Sequence, residues 1–103
     1  MNEFLISFFI FMNHTTNTHL ETLIKKNLHT LTPREWDVLL LVADDVPNKE
    51  IADKLHLTPE SVKTYRARIA EKLSICGRDS LGRYARKNRP FLIDSHLTLF
   101  FPP

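Results

Sequence analysis

The sequence predicts an all-α fold, a four-helix bundle over residues 31–88 with short apolar N- and C-terminal appendages at 1–30 and 89–103. Three observations carry the prediction. Thr-Pro occurs twice, at Thr32-Pro33 and Thr58-Pro59, and each pair opens a long stretch free of glycine and proline. A threonine hydroxyl accepts a bond from a first-turn N–H, and proline at the first helical position needs no N–H of its own. Apolar residues then recur at helical spacing, as in Val62, Ile69 and Leu73. Finally, only about three residues, His56, Leu57 and Thr58, join the second helix to the third, the connection of a helix-turn-helix.

Residues 4–12, FLISFFIFM, form an apolar run of nine. A bilayer span takes about 20 residues, so no membrane span is expected. Asn2 and Glu3 precede the run and no small-residue cleavage site follows, which argues against a secretory signal. Periodicity leaves strand, helix and interface segment open for it. His14 to His19 is polar and turn-like. Thr18 can cap a short linker helix over residues 19–27, with Leu20, Leu23 and Ile24 on one side.

The first bundle helix starts at Thr32, with Glu35 completing a capping box, and runs to about Ala43 or Asp44. Asp44 to Pro47 is a turn. Asn48 is expected to cap the second helix, which presents Ile51, Ala52 and Leu55. The third spans residues 58–73. Ser61 follows Thr58 by three, so its capping box is incomplete, while Glu60 supplies negative charge to the first turn. Gly77 is expected to break this helix, and a fourth runs from about Arg78 to Lys87, with Leu81 and Ala85 one turn apart. Gly82 within it costs about 1 kcal/mol relative to alanine. Pro90 is expected to end the domain, and the tail FLIDSHLTLFFPP reads as apolar and β-prone.

The formal charge is only +2, but it is unevenly spread. Residues 33–60 hold three basic and seven acidic side chains, a net of −4; residues 61–90 hold nine and two, a net of +7. Positive charge concentrated in and after the third helix is the footprint of a polyanion-binding surface. The polar face of that helix carries Lys63, Thr64 and Ala67, flat enough to enter a major groove, with Arg66, Arg68 and Lys72 placed for phosphates. Taken alone, such a face is equally a solvated basic surface. Enzyme chemistry finds little support. His14, His19, His29, His56 and His96 show no metal-ligand spacing, the two glycines form no phosphate loop, and Cys76 has no positioned base. One cysteine also fits a reducing compartment, and a cytoplasmic protein without cofactor or metal is expected.

The ordered set LTPRE at 31–35, VLLLVA at 38–43, NKEIADKL at 48–55, VKTY at 62–65, KL at 72–73, Arg78 and Ala85 resembles the LuxR/FixJ-type helix-turn-helix of bacterial response regulators. Each piece is weak alone; the set at this spacing is specific. The resemblance implies a DNA-binding transcription regulator whose third helix enters the major groove. It implies base contacts from Lys63, Thr64 and Ala67. Phosphate contacts fall to Lys49, Ser61, Tyr65, Arg66 and Arg68, to which position adds Lys72. Glu35, Ile51, Ala52, Val62, Ile69 and Leu73 match positions that hold the domain together. Double-stranded DNA is the implied partner, bound by a homodimer contacting through Leu81, Arg83, Tyr84 and Ala85, with RNA polymerase a further candidate.

Three departures from that family stand out. Tyr65 replaces a usual histidine, and Asp45 a usual glycine. Roughly 30 residues precede Leu31, too few for the receiver of about 120 residues that such regulators carry; a stand-alone regulator and a fragment both fit. The competing reading is a protein-interaction or membrane-surface module that works through its apolar termini. Trp36 and Leu40 sharpen it: members of the family usually keep both positions polar, and the two share a helix face. They form an apolar docking patch, to be covered by residues 4–12, by residues 91–101, or by a dimer partner.

Overall fold

Both Thr-Pro pairs start helices by the expected bonds. In the computed structural model, which describes residues 27–101, the Thr32 hydroxyl accepts from the Glu35 N–H at 3.1 Å while Glu35 Oε1 accepts from the Thr32 N–H at 2.9 Å. This reciprocal box opens α1 (Pro33–Ala43). The Thr58 hydroxyl accepts from the Ser61 N–H at 3.1 Å and opens α3 (Pro59–Lys72). Between them lies α2 (Asn48–Leu55). Two more helices follow, α4 (Ser80–Lys87) and α5 (Arg89–Phe100), and a 3-10 turn over Leu28–Thr30 precedes α1. No strand occurs among the described residues. The apolar run at 4–12 and all but the last residue of the linker helix expected over 19–27 lie outside them.

Several sequence expectations are corrected at their edges. Pro47, not Asn48, occupies the cap position of α2, and no side chain caps that end. Asn48 is instead the first helical residue and its amide oxygen serves α3 (below). Helix α3 ends at Lys72 with Leu73 as its cap, within the expected span 58–73, and the chain turns at Ser74, left-handed at φ 59°, before it reaches the expected breaker Gly77. Gly77, at φ 106°, shapes the loop that follows, and α4 starts at Ser80 rather than Arg78. The turn after α1 closes on Asp45 at φ 60°, a residue type that tolerates the left-handed region better than most.

The core is one cluster. α1 contributes Trp36, Val38, Leu39 and Val42, α2 contributes Ile51 and Ala52, and α3 contributes Val62, Ile69 and Leu73. Leu81 and Ala85 of α4 and Leu92 of α5 complete it, with Leu40, Leu41 and Leu55 partly buried at its edge. The largest correction is α5. The segment expected to be a β-prone tail beyond Pro90 is a helix, so the described residues hold five α-helices rather than four. Pro90 lies in the first turn, where a missing N–H costs nothing. Packing overrides the strand-like composition: Leu92 is fully buried, and Arg89 pairs with Asp44 at 3.3 Å. The helix also brings two rings onto Trp36, His96 at 5.2 Å and Phe100 at 6.4 Å between centroids. Trp36 is therefore buried within the chain, and Leu40 is half-buried.

A second long-range contact joins the start of α1 to the end of α3. Lys72 Nζ lies 2.7 Å from Glu35 Oε1 and also donates to the Thr30 carbonyl at 3.2 Å. Glu35 is only 3% exposed. Burial alone pushes its carboxyl up, but the Lys72 hydrogen bond, the Thr32 backbone N–H, the Lys72 charge and the Thr32 hydroxyl outweigh it and hold the carboxyl below its ordinary value.

Two predictions follow from this packing. Lys72→Met leaves a buried carboxylate short of a donor and lowers stability by about 1–2 kcal/mol, a figure discounted because the ammonium is partly solvated. Since the folded carboxyl titrates below the unfolded one, this contribution is complete above the ordinary carboxylate range and is lost as pH falls through the folded value. Urea midpoints of the two proteins should thus converge on acidification, and a gap that widens would refute the pairing. Leu92→Ala should cost about 2–4 kcal/mol by opening a cavity under α5. It should also red-shift the emission of Trp36, the only tryptophan; unchanged emission and stability would mean that α5 does not seal the core.

Candidate nucleic-acid interface

The pair α2 and α3 is joined by His56, Leu57 and Thr58, with His56 left-handed at φ 58° so that the chain turns sharply. Arg34 of α1 steadies this corner by donating to the Leu55 carbonyl at 3.2 Å, one of the unpaired carbonyls at the end of α2. Helix α3 is held from behind by Val62, Ile69 and Leu73, none of them exposed. Its opposite side is open: Glu60, Lys63, Thr64, Ala67, Arg68 and Glu71 are all exposed.

The chemistry of that open side is specific. Lys63 stands 3.5 Å from Glu60, and its side chain is 64% exposed, a loose pairing that an incoming anion or base edge can replace. The Thr64 hydroxyl spends its proton on the Glu60 carbonyl at 3.1 Å. Outward it therefore offers a methyl group and oxygen lone pairs, suited to a thymine methyl or to an exocyclic amine. Ala67, one turn beyond Lys63, leaves room for close approach. Arg68 lies 6.0 Å from the centre of the Tyr65 ring, which orients a cation beside the face. Together with Glu60, Ser61 and Thr64 these two line a shallow, open depression of about 300 Å³. Ser61 is half-buried and receives a hydrogen bond from the Thr58 hydroxyl at 3.0 Å. Lys49, at the start of α2, is exposed.

Two cations expected at phosphates are committed elsewhere. Arg66 donates to the Asn48 amide oxygen at 3.2 Å and lies 3.7 Å from Asp79, bracing α2 and the α3–α4 loop against α3. Its position was readable, for Arg66 is four residues after Val62 and so falls on the buried stripe. Lys72 is held by Glu35 and Thr30, and nothing local in the sequence marks that pairing. The residues expected at a dimer contact divide between core and surface. Leu81 and Ala85 are buried in this chain's own core, so their side chains are not free to meet a partner. Arg83 is exposed, and Tyr84 is half-buried and packs against the core. Gly82 allows Arg86 to reach Asp79 at 3.4 Å across the helix: a Cβ there would stand 2.5 Å from the Asp79 carboxylate and 2.9 Å from the Arg86 guanidinium. No helix of the described residues is long and apolar enough to cross a membrane.

The profile of the family described as "Bacterial regulatory proteins, luxR family" matches residues 29–85, which takes in α1 to α3 and most of α4. The chain is similar to the transcriptional regulatory protein LiaR of Bacillus subtilis, 39% identical over 59 residues, covering 57% of this chain and 28% of that protein. It is 33% identical over 67 residues to the nitrate/nitrite response regulator protein NarL of Escherichia coli, covering 65% and 31%. With the response regulator protein VraR of Staphylococcus aureus it shares 42% identity over 55 residues, covering 53% and 26%. The matched region thus spans under a third of each of these relatives. No solved structure matches the chain.

The split between braced and open cations is testable by stability alone. Arg66→Ala should lower the unfolding free energy by about 1–2 kcal/mol, since Asn48 and Asp79 lose a charged donor. Arg68→Ala on the open face should change it by less than about 0.5 kcal/mol. Equal losses in denaturant titrations would contradict the assignment.

Proposed function

Because the chain belongs to the luxR family of bacterial regulatory proteins, whose helix-turn-helix domains bind DNA, we propose that it is a sequence-specific transcription regulator that lays α3 in the major groove. The observation that carries this reading is the open side of α3, where Lys63, Thr64 and Ala67 stand exposed on a helix locked from behind. Lys63 donates to a guanine edge or an adjacent phosphate, and Thr64 and Ala67 take a thymine methyl or an amine. Lys49, Ser61, Tyr65 and Arg68 meet the backbone and set the register. Arg66 and Lys72 act indirectly, by holding the helix that the others stand on.

Two copies bind neighbouring half-sites as a homodimer through α4, with the exposed Arg83 and the solvent-accessible edge of Tyr84 as its contacts, since Leu81 and Ala85 are occupied in the core. RNA polymerase is the natural further partner of such a regulator, and the cytoplasm its place of action.

Selection of bound sequences from random duplex DNA at stated salt should yield a defined site. On that site Lys63→Ala should cost about 1–3 kcal/mol and relax preference at one position. Arg68→Ala should weaken all sequences alike and lower the salt slope by about 1. Retention of full selectivity by Lys63→Ala, or equal affinity for a half-site and a paired site, would overturn the base assignment or the dimer respectively.

A further inference from the structure

Helix α5 has apolar side chains on two sides. One side faces inward, with Leu92 buried and His96 against Trp36. At about 100° per residue, Ile93, Leu97, Phe100 and Phe101 form a second stripe turned away from Leu92. With Phe91 and Leu99 they are the large hydrophobics that stand exposed among the described residues, from 36% to 68%. Phe91 and Leu99 lie on the other flank of α5, where with Leu28, His29 and Asp94 they wall a groove of about 270 Å³. The stripe itself presents roughly 350 Å² of apolar surface, the size of a monomer's largest patch, which is often functional.

We propose that this surface is the docking site for residues 4–12 of the same chain, FLISFFIFM. The run carries no charge, and neither do Ile93, Leu97, Phe100 and Phe101 of the stripe. The described chain begins at Asn27, immediately before Leu28, which itself walls the groove. Residues 13–26 connect the run to that point, and even at the helical rise of about 1.5 Å per residue they reach about 20 Å, the length of α5. A short tether of this kind gives an effective concentration in the millimolar range. A second copy has no such advantage, and roughly 350 Å² falls short of the about 800 Å² per partner of a stable interface between two chains. The docked run closes the outer side of the helix that covers Trp36, and this inference stands independently of DNA binding.

The test uses the full chain with Cys76→Ser and a nitroxide spin label on Ser7→Cys. Amide signals of Ile93, Leu97 and Phe101 should lose most of their intensity, to the same degree after tenfold dilution. Spin-labelled protein mixed with isotope-labelled, unlabelled-spin protein should leave those signals intact. Loss of intensity only in the mixed or concentrated sample would assign the surface to a second copy, and no loss in any sample would leave residues 4–12 undocked; either overturns the proposal. Leu97→Asp combined with Phe101→Asp should restore the signals while Trp36 emission stays unchanged. Persistent attenuation in that variant would place the run elsewhere, and the result on the unaltered patch stands whether or not the variant folds.

Discussion

Glu35 sits in the core with its carboxylate shared between two donors from distant parts of the chain. The Thr32 N–H comes from its own cap and the Lys72 ammonium from the far end of α3. Neither arrangement is optional once the residue is buried, because a carboxylate without donors in that position would be strongly destabilising. The same oxygen that starts α1 therefore fixes where α3 ends. Hydrophobic packing of Val62, Ile69 and Leu73 sets the depth of α3 in the fold, but packing is non-directional. The ion pair and the Arg66 contacts with Asn48 and Asp79 supply direction, and they hold the helix against rotation about its own axis.

That constraint divides the basic residues of α3 into two working groups. Arg66 and Lys72 are spent on the frame, which leaves Lys63, loosely paired with Glu60, and Arg68, beside the Tyr65 ring, as the cations exposed on the open side. The open face is therefore mixed in charge, unlike the uniformly basic stretch that the sequence composition suggests. The Thr64 hydroxyl shows the same economy: by donating to its own helix it becomes an acceptor with a known orientation.

Helix α5 extends the matched domain, whose profile ends at residue 85. Trp36 explains why it is needed. A ring of this size must be covered, and His96 and Phe100 of α5 lie against it. The ion pair of Arg89 with Asp44 fastens the start of the helix to the end of α1. Covering Trp36 with so apolar a helix creates a second exposed face in turn, which moves the demand for a partner outward without removing it.

The sequence by itself determined what is decided within three or four residues. Thr32 and Thr58 are caps because the hydroxyl reaches an N–H three positions on, and Asp45 turns because its own backbone allows it. The buried stripes of α1 to α3 were legible for the same reason, since helical periodicity is a local signal, and with them the all-α class and the open side of α3. The family resemblance rested on those positions. What only the tertiary structure decided involves partners far apart along the chain. Lys72 reads as a phosphate contact until Glu35, 37 residues away, is seen beside it. Leu81 and Ala85 read as dimer contacts until the core takes them up. The tail from Phe91 reads as β-prone until Trp36 offers a surface on which a helix buries Leu92 and sets the tilted His96 ring against the indole. In each case the local preference is worth tenths of a kcal/mol, and burial against a distant residue is worth several times more.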